Sequence, residues 1–86
     1  MAELTLLYFA WVRERVGRGE ERMERPAAGT SIAALLDMLA TQSDGHAAAF
    51  ADRTRLRAAL DQKFVSLDTA IGEAKELALF PPVTGG

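Results

Sequence analysis

Hydrophobic positions follow three rhythms along the chain, and their order gives the architecture. Leu4-Thr5-Leu6-Leu7-Tyr8-Phe9 is apolar at nearly every position. A half-buried strand alternates, so a β-rich run with apolar residues on both faces is expected inside a sheet. Ala10–Val16 then reads as a short helix stopped by Gly17, which suits a left-handed C-cap. Glu20–Arg25 is strand-like but so polar that only an edge position paired with the first strand suits it, and Pro26 ends it.

The clearest helix follows Thr30, a good N-cap. Ile32, Leu35, Leu36 and Leu39 recur at i, i+3, i+4 and i+7 and form one stripe, with Met38 covering its flank. Ser43-Asp44-Gly45 breaks the pattern, and Ala47–Phe50 is expected to form a second, shorter helical turn. From Leu56 the period returns to two, with Leu56, Ala58 and Leu60 on one side. Asp61-Gln62 fits a tight turn into Phe64–Leu67, and Gly72-Glu73 marks a further turn. Leu77–Phe80 is the last strand, stopped by Pro81 and Pro82, which lack the backbone N–H that pairing needs. A hairpin, a crossover helix and more strands define an α+β domain over residues 1–80 with one long helix on one face of the sheet. Apolar residues on the uncovered face would mark a partner surface.

Composition narrows what such a domain can do. Eighty-six residues support one modest core and no deep private active site. There is no cysteine and one histidine. Disulfides, thiolate nucleophiles, Cys-ligated zinc, His metal sites and catalytic triads are therefore excluded. His46 is expected to be a satisfied or exposed loop histidine without a catalytic role. Net charge is −2, which argues against nucleic-acid binding by bulk attraction. No apolar run approaches the roughly 20 residues of a membrane span, and no leader pattern precedes the first strand. A cytoplasmic protein with no membrane association is expected. Eight of the ten basic residues are arginine, a residue suited to fixed ion pairs and interfaces.

After Phe80 the chain reads Pro81-Pro82-Val83-Thr84-Gly85-Gly86. Six extended residues reach at most about 20 Å. Two prolines stiffen the stem of this tail, residues 81–86. The glycines lack Cβ and could enter a tunnel too narrow for side chains. The terminal carboxylate is then the reactive group on offer. Activated as an acyl-adenylate, it could be captured by sulfur as a thiocarboxylate or by an amine as an amide. The residues alone leave both outcomes open.

The ending Leu79–Gly86 closely resembles that of molybdopterin synthase small subunits, the MoaD family. Tyr8–Gly17 resembles the family's aromatic-Ala-x-x-Arg-Glu-x-x-Gly block, Thr30–Leu36 its helix start and Asp61–Val65 its hairpin. Two departures are Asp61, where asparagine is common, and Ile71–Glu76 in place of an acidic-glycine-acidic turn. Both put turn geometry in question. The resemblance implies a β-grasp fold like that of ubiquitin, and a sulfur carrier that binds no cofactor of its own. It implies that an E1-like adenylating enzyme uses ATP to activate Gly86 and that a sulfur-donor system makes the thiocarboxylate. The large subunit of a heterotetrameric synthase then takes the tail and supplies the catalytic side chains. Sulfur passes to cyclic pyranopterin monophosphate to build the molybdopterin dithiolene. By the same resemblance Gly86 carries the reactive group and Gly85 keeps the approach slim. Phe80, Pro81, Pro82, Val83, Thr84, Phe64 and Arg13 meet the partner. Phe64 and Trp11 are equally compatible with core packing, and Arg13 with a helix ion pair to Glu14. A thiamine-type carrier and a covalent protein modifier are the alternatives.

Overall fold

A computed structural model describes residues 2–82. The elements are β1 (Glu3–Tyr8), α1 (Ala10–Val16), β2 (Glu20–Glu24), α2 (Ile32–Leu39) and α3 (Asp44–Ala49), followed by a 3₁₀ turn at Arg53–Arg55, β3 (Arg57–Leu60), β4 (Lys63–Val65) and β5 (Glu76–Phe80). One five-stranded sheet has the order β2-β1-β5-β3-β4. β1 and β5 run parallel at its centre, and the other neighbours are antiparallel. The parallel pair needs a crossover, and α2 with its flanking chain supplies it.

As expected, the doubly apolar β1 is internal and the polar β2 is an edge. On one face of the sheet Leu4, Leu6, Tyr8, Ala58, Leu60, Leu77 and Leu79 are buried against Ile32, Leu35, Leu36 and Leu39 of α2 and Ala49 and Phe50. Helix α1 stops at the glycine, with Gly17 left-handed at φ 96° and its N–H returned to the Arg13 carbonyl. The Asp61-Gln62 turn places both residues at positive φ, 47° and 72°, the twist a two-residue hairpin needs. Asp61 serves this turn as well as an asparagine could. Its Oδ1 accepts the N–H groups of Lys75 and Glu76 at 2.9 and 3.1 Å, tying the hairpin to the start of β5. Gly72 sits at φ 60° and closes the other doubtful turn.

Four readings change. The cap of α2 is Ser31, not Thr30: its hydroxyl accepts the Ala34 N–H at 3.0 Å. The Thr30 carbonyl instead accepts the Ile71 N–H. Strand β4 ends at Val65, because the following residues turn to satisfy the start of α2. There the carbonyls of Leu67 and Thr69 accept from Ala33 and Ile32. Met38 is exposed (54%) rather than laid along the stripe. Finally, Ser43-Asp44-Gly45 opens a helix instead of breaking one. Ser43 caps α3 by accepting the His46 N–H, and a Cβ at Gly45 would run into the carbonyl oxygen of Arg15. Gly45 is there for close packing of α3 on the end of α1, a reason invisible to helix propensity.

Candidate functional site

The uncovered face of the sheet is built by strand alternation. With Leu6, Tyr8, Leu77 and Leu79 committed to the core, Leu7, Ala78 and Phe80 point the other way. Register then sets Leu7 beside Ala78, Ala78 beside Ala59, and Ala59 beside Phe64. Phe9 extends the row beyond β1, where its N–H reaches the Leu79 carbonyl at 3.1 Å. These residues share one open groove with Gln62 and Glu76. Phe64 is 80% exposed and Phe9 48%, so together with the rest of the groove they form a contiguous exposed apolar patch. The Phe64 and Phe80 rings stand 5.5 Å apart and tilted by 45°, within the range of a favourable aromatic pair.

This aromatic pair lies where the sheet ends and the tail begins. Phe80 is the last residue of β5, and the half-buried Pro81 and Pro82 follow. The structure thus joins Phe64, Phe80, Pro81 and Pro82 in one neighbourhood. Val83, Thr84, Gly85 and Gly86 lie outside the described residues. Arg13 is exposed but lines a different groove, with Glu14, Gly17, Arg18 and Gly19. Sequence patterning does not single out Leu7, Phe9, Ala59 or Ala78. The signal it does carry is the apolar character of both faces of β1, which needs the strand register to become a surface.

His46 is not in a loop. It is a buried residue of α3, and its Nε2–H donates to Glu21 Oε1 at 2.7 Å while Nδ1 meets Ser43 Oγ at 2.7 Å. Tyr8 donates its hydroxyl to the same Glu21 oxygen at 2.8 Å, and Arg18 lies 3.7 Å from the other. Burial alone would raise the Glu21 pKa, but the hydrogen bonds from His46 and Tyr8 and the nearby positive charges hold it below its ordinary value. Burial, then the hydrogen bond to Glu21, pushes the Tyr8 phenol well up. The network is satisfied within itself and faces away from the aromatic groove, on the covered side with Tyr8. It fastens α3 to the edge strand.

Trp11 is half-buried against the core, with the Arg15 and Arg55 guanidinium groups 4.7 and 5.5 Å from its ring centre. Among the described residues no cluster of three or more His, Cys, Asp or Glu side chains is placed to hold a metal ion. No helix among them is long and apolar enough to cross a membrane. What the arrangement offers is an exposed apolar face at the root of the tail.

Residues 6–86 match the ThiS family, so Gly85 and Gly86 fall inside the matched span. The chain is 42% identical over 83 residues to the molybdopterin synthase sulfur carrier subunit of Escherichia coli (strain K12), covering 96% of this chain and 99% of that one. It is 35% identical, with the same coverage, to the subunit of that name from Haemophilus influenzae. In structure it is similar to a putative molybdopterin converting factor, subunit 1, from Pyrococcus furiosus, with TM-score 0.72 and 23% identity over 96% of this chain and all of the other. It is also similar to small archaeal modifier protein 1 of H. volcanii, with TM-score 0.71 and 23% identity over 96% of this chain and all of the other. These structures share the mixed sheet and crossover helix of the ubiquitin-like β-grasp fold. With the family matched almost end to end and the curated relatives matched at this level, the chain belongs to the ThiS family of β-grasp carriers, alongside the molybdopterin synthase sulfur carrier subunits.

Proposed function

We propose that this protein is the sulfur carrier subunit of a molybdopterin synthase, acting through the carboxyl group of Gly86. The observation that carries the reading is the exposed Phe64–Phe80 face at the point where β5 passes into the tail. A carrier has to be held by a partner while its end reaches that partner's active site, and this face is where holding and reaching meet.

In this reading an E1-like enzyme joins the Gly86 carboxylate to the α-phosphate of ATP and releases pyrophosphate. A sulfur donor then displaces AMP and leaves a thiocarboxylate. The synthase large subunit binds the aromatic face, and the tail carries sulfur to cyclic pyranopterin monophosphate. In each transfer the thiocarboxylate sulfur bonds to the pterin and water hydrolyses the resulting thioester, leaving sulfur on the pterin and a carboxylate on Gly86; two transfers complete one dithiolene. Pro81 and Pro82 lower the entropy lost when the tail is ordered, and Gly85 keeps the approach narrow. The carrier contributes no catalytic side chain, so general acid–base work belongs to the large subunit. A heterotetramer with two carriers and a cytoplasmic setting are part of the same proposal.

Intact mass spectrometry tests it. Incubation with the activating enzyme, ATP and a sulfur source should give a species heavier by one oxygen-for-sulfur exchange, absent when Gly86 is deleted. A mass that stays that of the free acid sinks the proposal. Gly85→Val should leave the fold intact and stop transfer within the synthase. Recovery of a thiazole synthase in place of the large subunit would reassign the pathway to thiamine synthesis. Ladders of lysine conjugates would reassign the chain to protein modification.

A further inference from the structure

The arginines fall into two groups on a chain whose net charge is −2. Arg18, Arg22 and Arg53 pair with Glu21, Glu20 and Asp37, and Arg25 donates to the Glu73 carbonyl at 2.9 Å. Among the described residues Arg13, Arg15, Arg55 and Arg57 form no ion pair with a carboxylate. Arg13 belongs to its own groove. The other three lie toward the end of the sheet at which β5 runs out.

Their placement follows from the backbone. Trp11 and Arg15 are one turn apart on α1, so the guanidinium lies over the ring at 4.7 Å. Arg55 approaches the same ring at 5.5 Å. Leu56 is extended at φ −112°, ψ 143° and buried, so Arg55 and Arg57 on either side of it point away from the core. Arg57 is in register with Phe80 and lines a groove with Phe64 and Phe80. Its Nη1 donates to the carbonyls of Thr54 and Leu56 at 3.2 and 2.8 Å, which fixes the side chain. Asp52 feels the charge of Arg55. Its Oδ1, however, is taken by the hydroxyl and N–H of Thr54 at 2.5 and 3.1 Å.

We propose that Arg15 and Arg55, braced by Trp11, and Arg57, held by the Thr54 and Leu56 carbonyls, form a cationic collar at the root of the tail that docks an acidic segment on the synthase large subunit. This rests on the carrier reading and adds the chemistry that the partner must present. The collar is continuous with the aromatic face through the Arg57–Phe80 register, giving the apolar centre and arginine-bearing rim of a protein interface. A small phosphate ligand would need donors converging in an enclosed pocket. Here two guanidinium groups lie over a half-buried ring and the third is held along a strand.

The test measures affinity of the purified large subunit for the carrier across a salt series. Arg55→Glu and Arg57→Glu are compared with Arg22→Glu, the same charge change on the far edge strand. The collar variants should each weaken binding by about ten-fold or more at low salt, chiefly through slower association, and flatten the salt dependence. Arg22→Glu should stay within about two-fold, as expected for a remote surface charge. Equal losses in all three variants, or unchanged binding in the collar variants, would overturn the collar. Wild-type carrier that takes up sulfur but does not bind the large subunit would overturn the assignment to the synthase and the collar with it. Thermal protection by tripolyphosphate that is lost in Arg55→Glu, with partner affinity unchanged, would move the site to a phosphate ligand and overturn the protein assignment.

Discussion

The two faces of the sheet draw on the same kinds of residue and do opposite things with them. One presents Leu4, Leu6, Tyr8, Leu77 and Leu79, each at most 2% exposed. The other presents Leu7, Phe9, Phe64, Ala78 and Phe80 in an open groove. Composition does not separate them. What separates them is α2, which lays its stripe on the first face and leaves the second bare. This domain has one long helix to lay on its sheet, so the second apolar face stays uncovered among the described residues, and in the function proposed above it is the face a partner takes. On that proposal, stability resides on one side of the sheet and recognition on the other.

Substitutions on the two faces should split accordingly. Leu36→Ala, at the buried α2–sheet contact, should cost about 2–5 kcal/mol, read from the midpoint of urea unfolding. A smaller loss would mean that the covered face packs loosely and the contrast between the faces is overstated. Gly45→Ala should cost about 1–3 kcal/mol, because the new methyl meets the Arg15 carbonyl and must push α3 from α1. This is well above the gain that alanine normally brings to a helix, so a stabilised variant would contradict the close approach.

Acid should act on the covered side through Glu21. Its folded pKa lies below the ordinary value of 4.5, so the folded state favours the carboxylate. The stabilisation is present above pH 4.5 and is lost as pH falls from there toward the folded pKa. Glu21→Gln should lower stability at neutral pH and flatten its acid dependence, measured by denaturation at several pH values. An unchanged acid limb would show that the Tyr8–Glu21–His46 network does not carry it. The smallest stability effect belongs to the open face. Phe64→Ala should cost less than about 1 kcal/mol, mainly its pairing with Phe80, while weakening large-subunit binding more than ten-fold, as truncating an interface hot spot does. Loss of stability comparable to that of Leu36→Ala would erase the distinction between the faces.

Much of the fold is legible in the sequence. Period-two and period-3.6 patterns locate the strands and α2, because burial on one side must repeat with the backbone. Gly17 and Pro81 mark ends that their own backbone chemistry imposes. The expectations that fail share a different cause. Thr30 and Ser31 are both good caps, and which one serves depends on Ile71 coming back to claim the Thr30 carbonyl. Gly45 reads as a breaker because its use, close approach to α1, involves a segment 30 residues away. His46 reads as a loop residue for the same reason, since the Glu21 that satisfies it lies on β2.

The sequence by itself determined the element order, the covered and uncovered faces in outline, and the Pro-Pro and Gly-Gly chemistry of the ending. Those properties are local, written in side-chain period, φ restriction and the absence of Cβ. Only the tertiary structure decided which aromatics stand together and which arginines lack a carboxylate partner among the described residues. Phe64 and Phe80 meet because β3 lies between β4 and β5 in a set register, and Arg55 reaches Trp11 from across the fold. Side-chain identity says what a residue can do. Its neighbours, fixed by strand pairing and helix packing at long sequence separation, decide whether it is satisfied within the chain or left for a partner.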